Sequence, residues 1–351
     1  MIINVSGYGS TGASAYIDLL KEFEGIQFLP DSMEFQILQE PDGILDLEYA
    51  LLNGSRTGVQ VAIARFLRNE TDRCIRLDKV SGNMFRTLKS EYISKISDVS
   101  WKGKSIYDPS DLKSWNEKPC FRKINRLIDH LLIKTNKYGT WPKAKERYLS
   151  NITHQEFVEL TQSFISDLLK TCGLDITGNV VLEQLYNTGT PLRGAHLMPS
   201  ESKSLIIDRD PRDVFIITNH VFPYYNRYMP HCGDVESFVK FYRATHRSKD
   251  ESSENVFYLQ YEDTIYEYEH TIEVLKGITG GAEHINPGKF FVPENSINNT
   301  QLYNKGYEMY SEQIKLIEDE LTEYLYPFET KKVNISASDC KPFERQTDLQ
   351  N

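Results

Sequence analysis

Two short segments of this 351-residue chain bring together residue types that bind anions. In the first, Gly7-Tyr8-Gly9-Ser10-Thr11-Gly12-Ala13-Ser14 has the G-x-x-x-x-G spacing of a phosphate-binding loop. Glycines at Gly9 and Gly12 let backbone amides turn inward, Ser10, Thr11 and Ser14 offer hydroxyl donors, and a helix starting at about Ala13 adds unpaired N–H groups and a positive dipole end. Position 13 is alanine where a nucleotide triphosphatase would carry lysine, and no strand ending in a Mg²⁺-holding aspartate is evident. The competing reading of this loop is a tight strand-to-helix turn without a ligand. In the second segment, the apolar run Leu205-Ile206-Ile207 stops at Asp208-Arg209-Asp210-Pro211-Arg212-Asp213. A buried parallel strand ends in this way, and it delivers a charged loop to the carboxyl edge where α/β proteins hold ligands.

An acid–base partner is sought among carboxylates and histidines. Glu34 lies just beyond a short strand at Ile26 to Phe28, which places it at the same sheet edge and makes it the first choice of base. His196, in the loop Asn187 to Pro199, is the second choice, and His220, after the arginine helix, is weaker. Lone histidines more often satisfy structural hydrogen bonds. Arg65 and Arg68, at the end of an apolar helical segment, could supply the cation that the glycine loop lacks, or simply form a charged surface. Trp101 and Trp141 are either sugar platforms or core residues.

The elements that must position these groups fall into three regions. Residues 1–70 read as strand, glycine loop, helix, short strand and further helices, including Val59 to Arg68. Residues 71–175 show helical periodicity at Ile124, Leu127, Ile128, Leu131 and Leu132 and again at Phe157, Leu160, Phe164, Ile165 and Leu168, with no strong strand signal. They are expected to form a helical insertion or cap. From about 176 to 330 the strand–helix alternation resumes with Asn179 to Leu185, Leu205 to Ile207 and Asn255 to Gln260, and it closes with an amphipathic helix carrying Tyr310, Ile314, Ile317 and Leu321. The expected fold class is α/β: a P-loop-like parallel sheet flanked by helices, built from 1–70 and 176–330, with a flexible tail at 331–351. A net charge of −10 argues against a coat for nucleic acid or anionic membrane. The absence of a leader or a membrane-length apolar run points to a cytoplasmic protein. Five scattered cysteines without a C-x-x-C pair fit reduced thiols and give no zinc spacing.

The stretch Arg209-Asp210-Pro211-Arg212-Asp213-Val214 resembles the 3′-phosphate-binding motif of PAPS-dependent sulfotransferases. The glycine loop resembles that family's 5′-phosphosulfate loop, and Tyr261-Glu262-Asp263 its Y-E-D segment, all in the family's order along the chain. The likeness covers about 1–40 and 179–325, and a GSTG-type start is similar to bacterial capsule and surface-polysaccharide members. It implies PAPS as cofactor, no metal, a glycan hydroxyl as acceptor, and a carboxylate such as Glu34 as base. It further implies Arg209 on the 3′-phosphate, Tyr261 near the adenine, and Lys305 with the Gly306 amide closing over the phosphate from Asn304-Lys305-Gly306. The family's serine eight residues after the arginine is here Ile217, with Thr218 one further on, and the loop lacks the family's cation. Two alternatives remain: a P-loop kinase or nucleotide phosphotransferase on a sugar or lipid precursor, and a non-catalytic nucleotide-binding relative. Oligomeric state is not readable.

Overall fold

A computed structural model describes residues 1–30, 33–103, 127–128, 130–131, 134–135, 145–223, 229–231, 233–247, 253–331 and four isolated positions of the tail. The chain divides into two compact units: Met1–Gln36 with Leu174–Ala195 and Ser200–Asn351, and Ile37–Gly173 with His196–Pro199.

The first unit is built on a five-stranded, all-parallel sheet. Its strands are β1 (Ile2–Gly7), β2 (Ile26–Phe28), β5 (Asn179–Glu183), β6 (Ser202–Asp208) and β7 (Val256–Gln260), in the order β2-β5-β1-β6-β7. The central strands read as continuous runs rather than alternations because both faces are covered; every residue from Ile2 to Ser6 is buried. The polar residues Asn4 and Ser6 sit at zero exposure because they bond to each other and to neighbouring strands and loops. Asn4 Nδ2 donates to Ser204 Oγ at 2.6 Å, and its Oδ1 accepts from Ser6 Oγ and the Leu185 amide, both at 2.9 Å. Helix α1 (Ala13–Leu20) buries Tyr16, Ile17, Leu19 and Leu20 in a core with Ile3, Val5, Leu205 and Ile207.

The second unit contains α2 (Ile44–Asn53), α3 (Arg56–Arg68), α4 (Asp72–Val80), α5 (Phe85–Lys95) and α6 (His154–Thr171). Thr153 starts α6 with a reciprocal capping box, its hydroxyl accepting from the Glu156 amide while the Glu156 carboxylate accepts from the Thr153 amide. Tyr92 stacks on Phe164 with ring centroids 4.7 Å apart and shares a hydrogen bond of 2.7 Å with Thr161, tying α5 to α6.

Two expectations change. The sequence puts a boundary near residue 70, whereas the compact units divide after Gln36, because α2 packs on α3 and α3 packs on α5 within the second unit. The middle region also holds an antiparallel ladder, β3 (Val99–Gly103) with β4 (Lys145–Leu149). Four of the five β3 residues are exposed, so the ladder has no apolar alternation to announce it. Trp101 belongs to this exposed face. Ile124, Leu132, Trp141 and most of the tail lie outside the described residues, while Leu127 and Leu131 of the same periodic segment are exposed. Among the described residues no helix is long and apolar enough to cross a membrane.

Candidate functional site

β1 and β6 are neighbours, so the loops leaving their carboxyl ends emerge side by side. After Gly7 the chain turns through left-handed conformations at Gly9 (φ 98°), Ser10 (φ 56°) and Gly12 (φ 86°). Gly12 caps α1 without a side-chain hydrogen bond, and the Ala15 amide turns back to the Gly12 carbonyl at 2.9 Å, so Ala13 and Ser14 carry the amides that this helix start can offer. Ser14 is exposed and Ala13 half-buried. The Thr11 hydroxyl points elsewhere: it donates to the Ile207 carbonyl at 2.7 Å, pinning the loop to the end of β6.

The loop after β6 runs into α7 (Pro211–Ile216), with Asp210 as its N-cap and Pro211 in its first turn. The two arginines of this motif have different fates. Arg212 is neutralised: it donates from Nε and Nη2 to Asp210, at 2.9 and 2.7 Å, and from Nη1 to Glu318 at 2.9 Å. Arg209 is 3% exposed and has no carboxylate within 4 Å among the described residues. It donates from Nη2 to the Asn299 carbonyl, lies 4.3 Å over the Tyr261 ring, and keeps a buried Nε–H with no acceptor. An orphaned guanidinium donor in the interior is uncommon and marks a position that an anion could satisfy.

Tyr261 joins the two loops. Its hydroxyl donates to the Ser296 carbonyl at 3.1 Å. A Cβ placed on Gly12 would fall 2.4 Å from its Cδ2, so the glycine loop rests directly on the ring that Arg209 covers. Lys305 approaches the same region. Its ammonium donates to the carbonyls of Ile297, Asn298 and Thr300, at 3.0, 3.4 and 2.7 Å, and it forms no ion pair among the described residues. Desolvation of the ammonium lowers the Lys305 pKa; Asp213 opposes this, and the charge of Arg209 adds to it. Two cations thus converge on the carbonyl oxygens of one turn, 297–300. Gly306 follows in the left-handed region at φ 88° with open space around it.

Buried carboxyls support this frame. Asp213 accepts from the Gln301 and Leu302 amides at 2.8 and 2.7 Å, and burial pushes its carboxyl up to about 6. Glu262 accepts from the Asp210 amide at 3.0 Å, and burial raises its pKa well above the usual range while Arg209 opposes the shift. Asp263 accepts from the Tyr326 hydroxyl at 2.8 Å. Thr218 is buried, and its proton is directed to the Val214 carbonyl at 2.8 Å, inside a π-helical turn at Ile217–Val221. That turn inserts one residue into the helix.

Of the candidate bases, Glu34 is half-buried and bridges in parallel to Glu183 at the carboxyl end of β5, with Gln36 Nε2 donating to it at 3.0 Å. His196 belongs to the second unit, where its Nε2 lies 2.7 Å from Glu48. Arg65 is also in the second unit, 3.8 Å from Asp42, and Arg68 shares its helix. His220 stacks edge-on against Tyr307 at 4.8 Å.

Sequence reasoning missed a buried stack beside the glycine loop. Tyr8 lies on His246 (3.8 Å between centroids), and His246 lies on Tyr242 (3.9 Å), both carried by α8 (Val235–His246). His246 Nε2 sits 3.0 Å from Asp208, and its Nδ1 2.7 Å from the Tyr242 carbonyl. Both ring nitrogens are engaged, so this Asp–His pair orients Tyr8 and the strand end, and it leaves no nitrogen for a substrate. The i,i+4 spacing of Tyr242 and His246 was the available signal. No protein-family model matches the chain, and no curated protein matches it significantly.

Proposed function

We propose that the first unit binds PAPS and transfers its sulfuryl group to a hydroxyl of a glycan or related small acceptor. The observation that supports this reading is the junction at Tyr261, where the helix start at Gly12 and the guanidinium of Arg209 both lie against one ring. PAPS, when bound, supplies the sulfuryl group as a sulfate–phosphate anhydride. The α1 amides would hold the negative charge at the sulfated end, as preorganised donors do without reorganisation. Arg209 and Lys305 would hold the 3′-phosphate, exchanging the carbonyls of 297–300 for phosphate oxygens, and Gly306 would add its amide. Glu34 would take the acceptor proton on a carboxylate oxygen. A glycan acceptor and a place in surface-polysaccharide synthesis belong to the same proposal.

A non-catalytic nucleotide-binding relative is the second reading, favoured by Thr11 and Thr218, whose hydroxyl protons are committed to backbone carbonyls. Thermal-shift measurements with adenosine 3′,5′-bisphosphate and with ATP and Mg²⁺ decide whether the site binds, because a ligand of the native state raises the midpoint by mass action. Stabilisation by the bisphosphate alone, lost in Arg209→Ala, is the expected result. Stabilisation by ATP and Mg²⁺ instead would select the kinase reading, and no shift with either would remove the cofactor assignment. Transfer from labelled PAPS to a polysaccharide panel, depressed in Glu34→Gln with bisphosphate binding retained, then separates catalysis from binding alone.

A further inference from the structure

A second cluster of chemistry-bearing residues lies wholly within the second unit. Glu48 on α2, His154 at the first turn of α6 and His196 in the 3₁₀ turn Ala195–Leu197 come from three distant parts of the chain, and their ligating atoms all fall within 4.8 Å of one another. One carboxylate oxygen, Glu48 Oε1, faces both imidazoles, at 2.7 Å from His196 Nε2 and 3.4 Å from His154 Nε2. The rings are tilted by 50° with centroids 5.7 Å apart.

We propose that Glu48, His154 and His196 bind a single Zn²⁺ ion. Metal–ligand bonds of about 2.1 Å in a tetrahedral shell place neighbouring ligand atoms roughly 3.4 Å apart; His154 Nε2 lies at that spacing from Glu48, at 3.4 Å, and His196 Nε2 is closer, at 2.7 Å. The donor set is chemically suited to a cation: with each ring neutral and its proton on Nδ1, both Nε2 lone pairs lie beside one carboxylate oxygen, and a divalent ion can be shared among the three. Two imidazoles with one carboxylate suit zinc rather than the oxygen-seeking Mg²⁺ or Ca²⁺.

The backbones are already fixed. The Thr153–Glu156 capping box sets the start of α6, and Gln162 Nε2 donates to the His196 carbonyl at 2.9 Å, anchoring the short turn to the same helix. His154 and His196 are 62% and 46% exposed and Glu48 15%, so the ion would keep an open side for water or a small ligand. This site does not depend on the sulfotransferase reading.

The test uses the full chain without a histidine tag, stripped by a chelator and titrated with ZnCl₂ by calorimetry. One ion per chain is expected, with affinity falling at least about tenfold in His154→Ala, His196→Ala and Glu48→Gln. A stoichiometry and affinity unchanged in the folded His154→Ala/His196→Ala double variant would overturn the site. Co²⁺ substitution of the wild-type chain gives a readout free of mutation. Visible d–d bands without a thiolate charge-transfer band support the assignment, whereas a thiolate band, or no band at all, refutes it.

Discussion

Replacing Gly12 with alanine tests the junction on which the cofactor site rests. The new Cβ would lie 2.4, 2.9 and 3.2 Å from Cδ2, Cγ and Cβ of Tyr261, a ring held in place by Ser296 and Arg209. A non-glycine residue at φ 86° costs about 1–2 kcal/mol in backbone energy, and forcing a buried ring aside adds about 1–3 kcal/mol. Gly9 is the internal control: at φ 98° with nothing within 4 Å, Gly9→Ala should show the backbone cost alone, about 1–2 kcal/mol. In a Tyr261→Ala background only the 3.2 Å Cβ contact remains, so the cost of Gly12→Ala should fall towards that of Gly9→Ala. Urea unfolding of the four proteins of this cycle, followed by circular dichroism, measures the coupling. Gly12→Ala should also abolish stabilisation by adenosine 3′,5′-bisphosphate, because it displaces the ring beneath Arg209. Additivity of the two substitutions within about 0.5 kcal/mol, or equal costs at Gly9 and Gly12, would refute the contact.

Arg212→Ala removes the partner of Asp210, whose side chain has zero exposure, and should destabilise the fold by about 3–5 kcal/mol in urea unfolding; a loss under about 1 kcal/mol would mean that the pair is not structurally required. Asp213 titrates at about 6 in the folded chain against 3.8 unfolded, so the native state holds more protons between those values and stability from this group falls as pH rises through them. Asp213→Asn should flatten the fall in urea midpoint between about pH 4 and about pH 6; an unchanged slope would assign it elsewhere, Glu262 being shifted in the same direction.

The strands and the glycine loop were legible because their signals are local. The apolar Ile2, Ile3 and Val5 and the run Leu205 to Ile207 announce strands covered on both faces, and Gly9 and Gly12 stand where the backbone is left-handed. What stayed hidden depends on contacts distant in sequence. Nothing near Arg209 and Arg212 tells which one meets Asp210 and Glu318, and nothing near Lys305 shows that its ammonium folds onto the carbonyls of 297–300. The β3–β4 ladder escaped notice because Val99, Trp101 and Lys102 lie on open surface. Glu48, His154 and His196 share no local pattern, so His196 stands out in the sequence only as a lone histidine and its two neighbours not at all.

The pairing of β1 has a consequence for synthesis. Ile2 pairs with Val180 on one side and Ser202 on the other, so the middle strand of the sheet is translated well before either neighbour. At ordinary elongation rates the apolar segment waits roughly 10–40 s for its partners, a period in which its unpaired edges invite aggregation or chaperone capture. Sheet assembly should therefore be a late event on the ribosome, after the second unit, whose residues 37–173 are translated in the interval, has already collapsed around Tyr92 and Phe164.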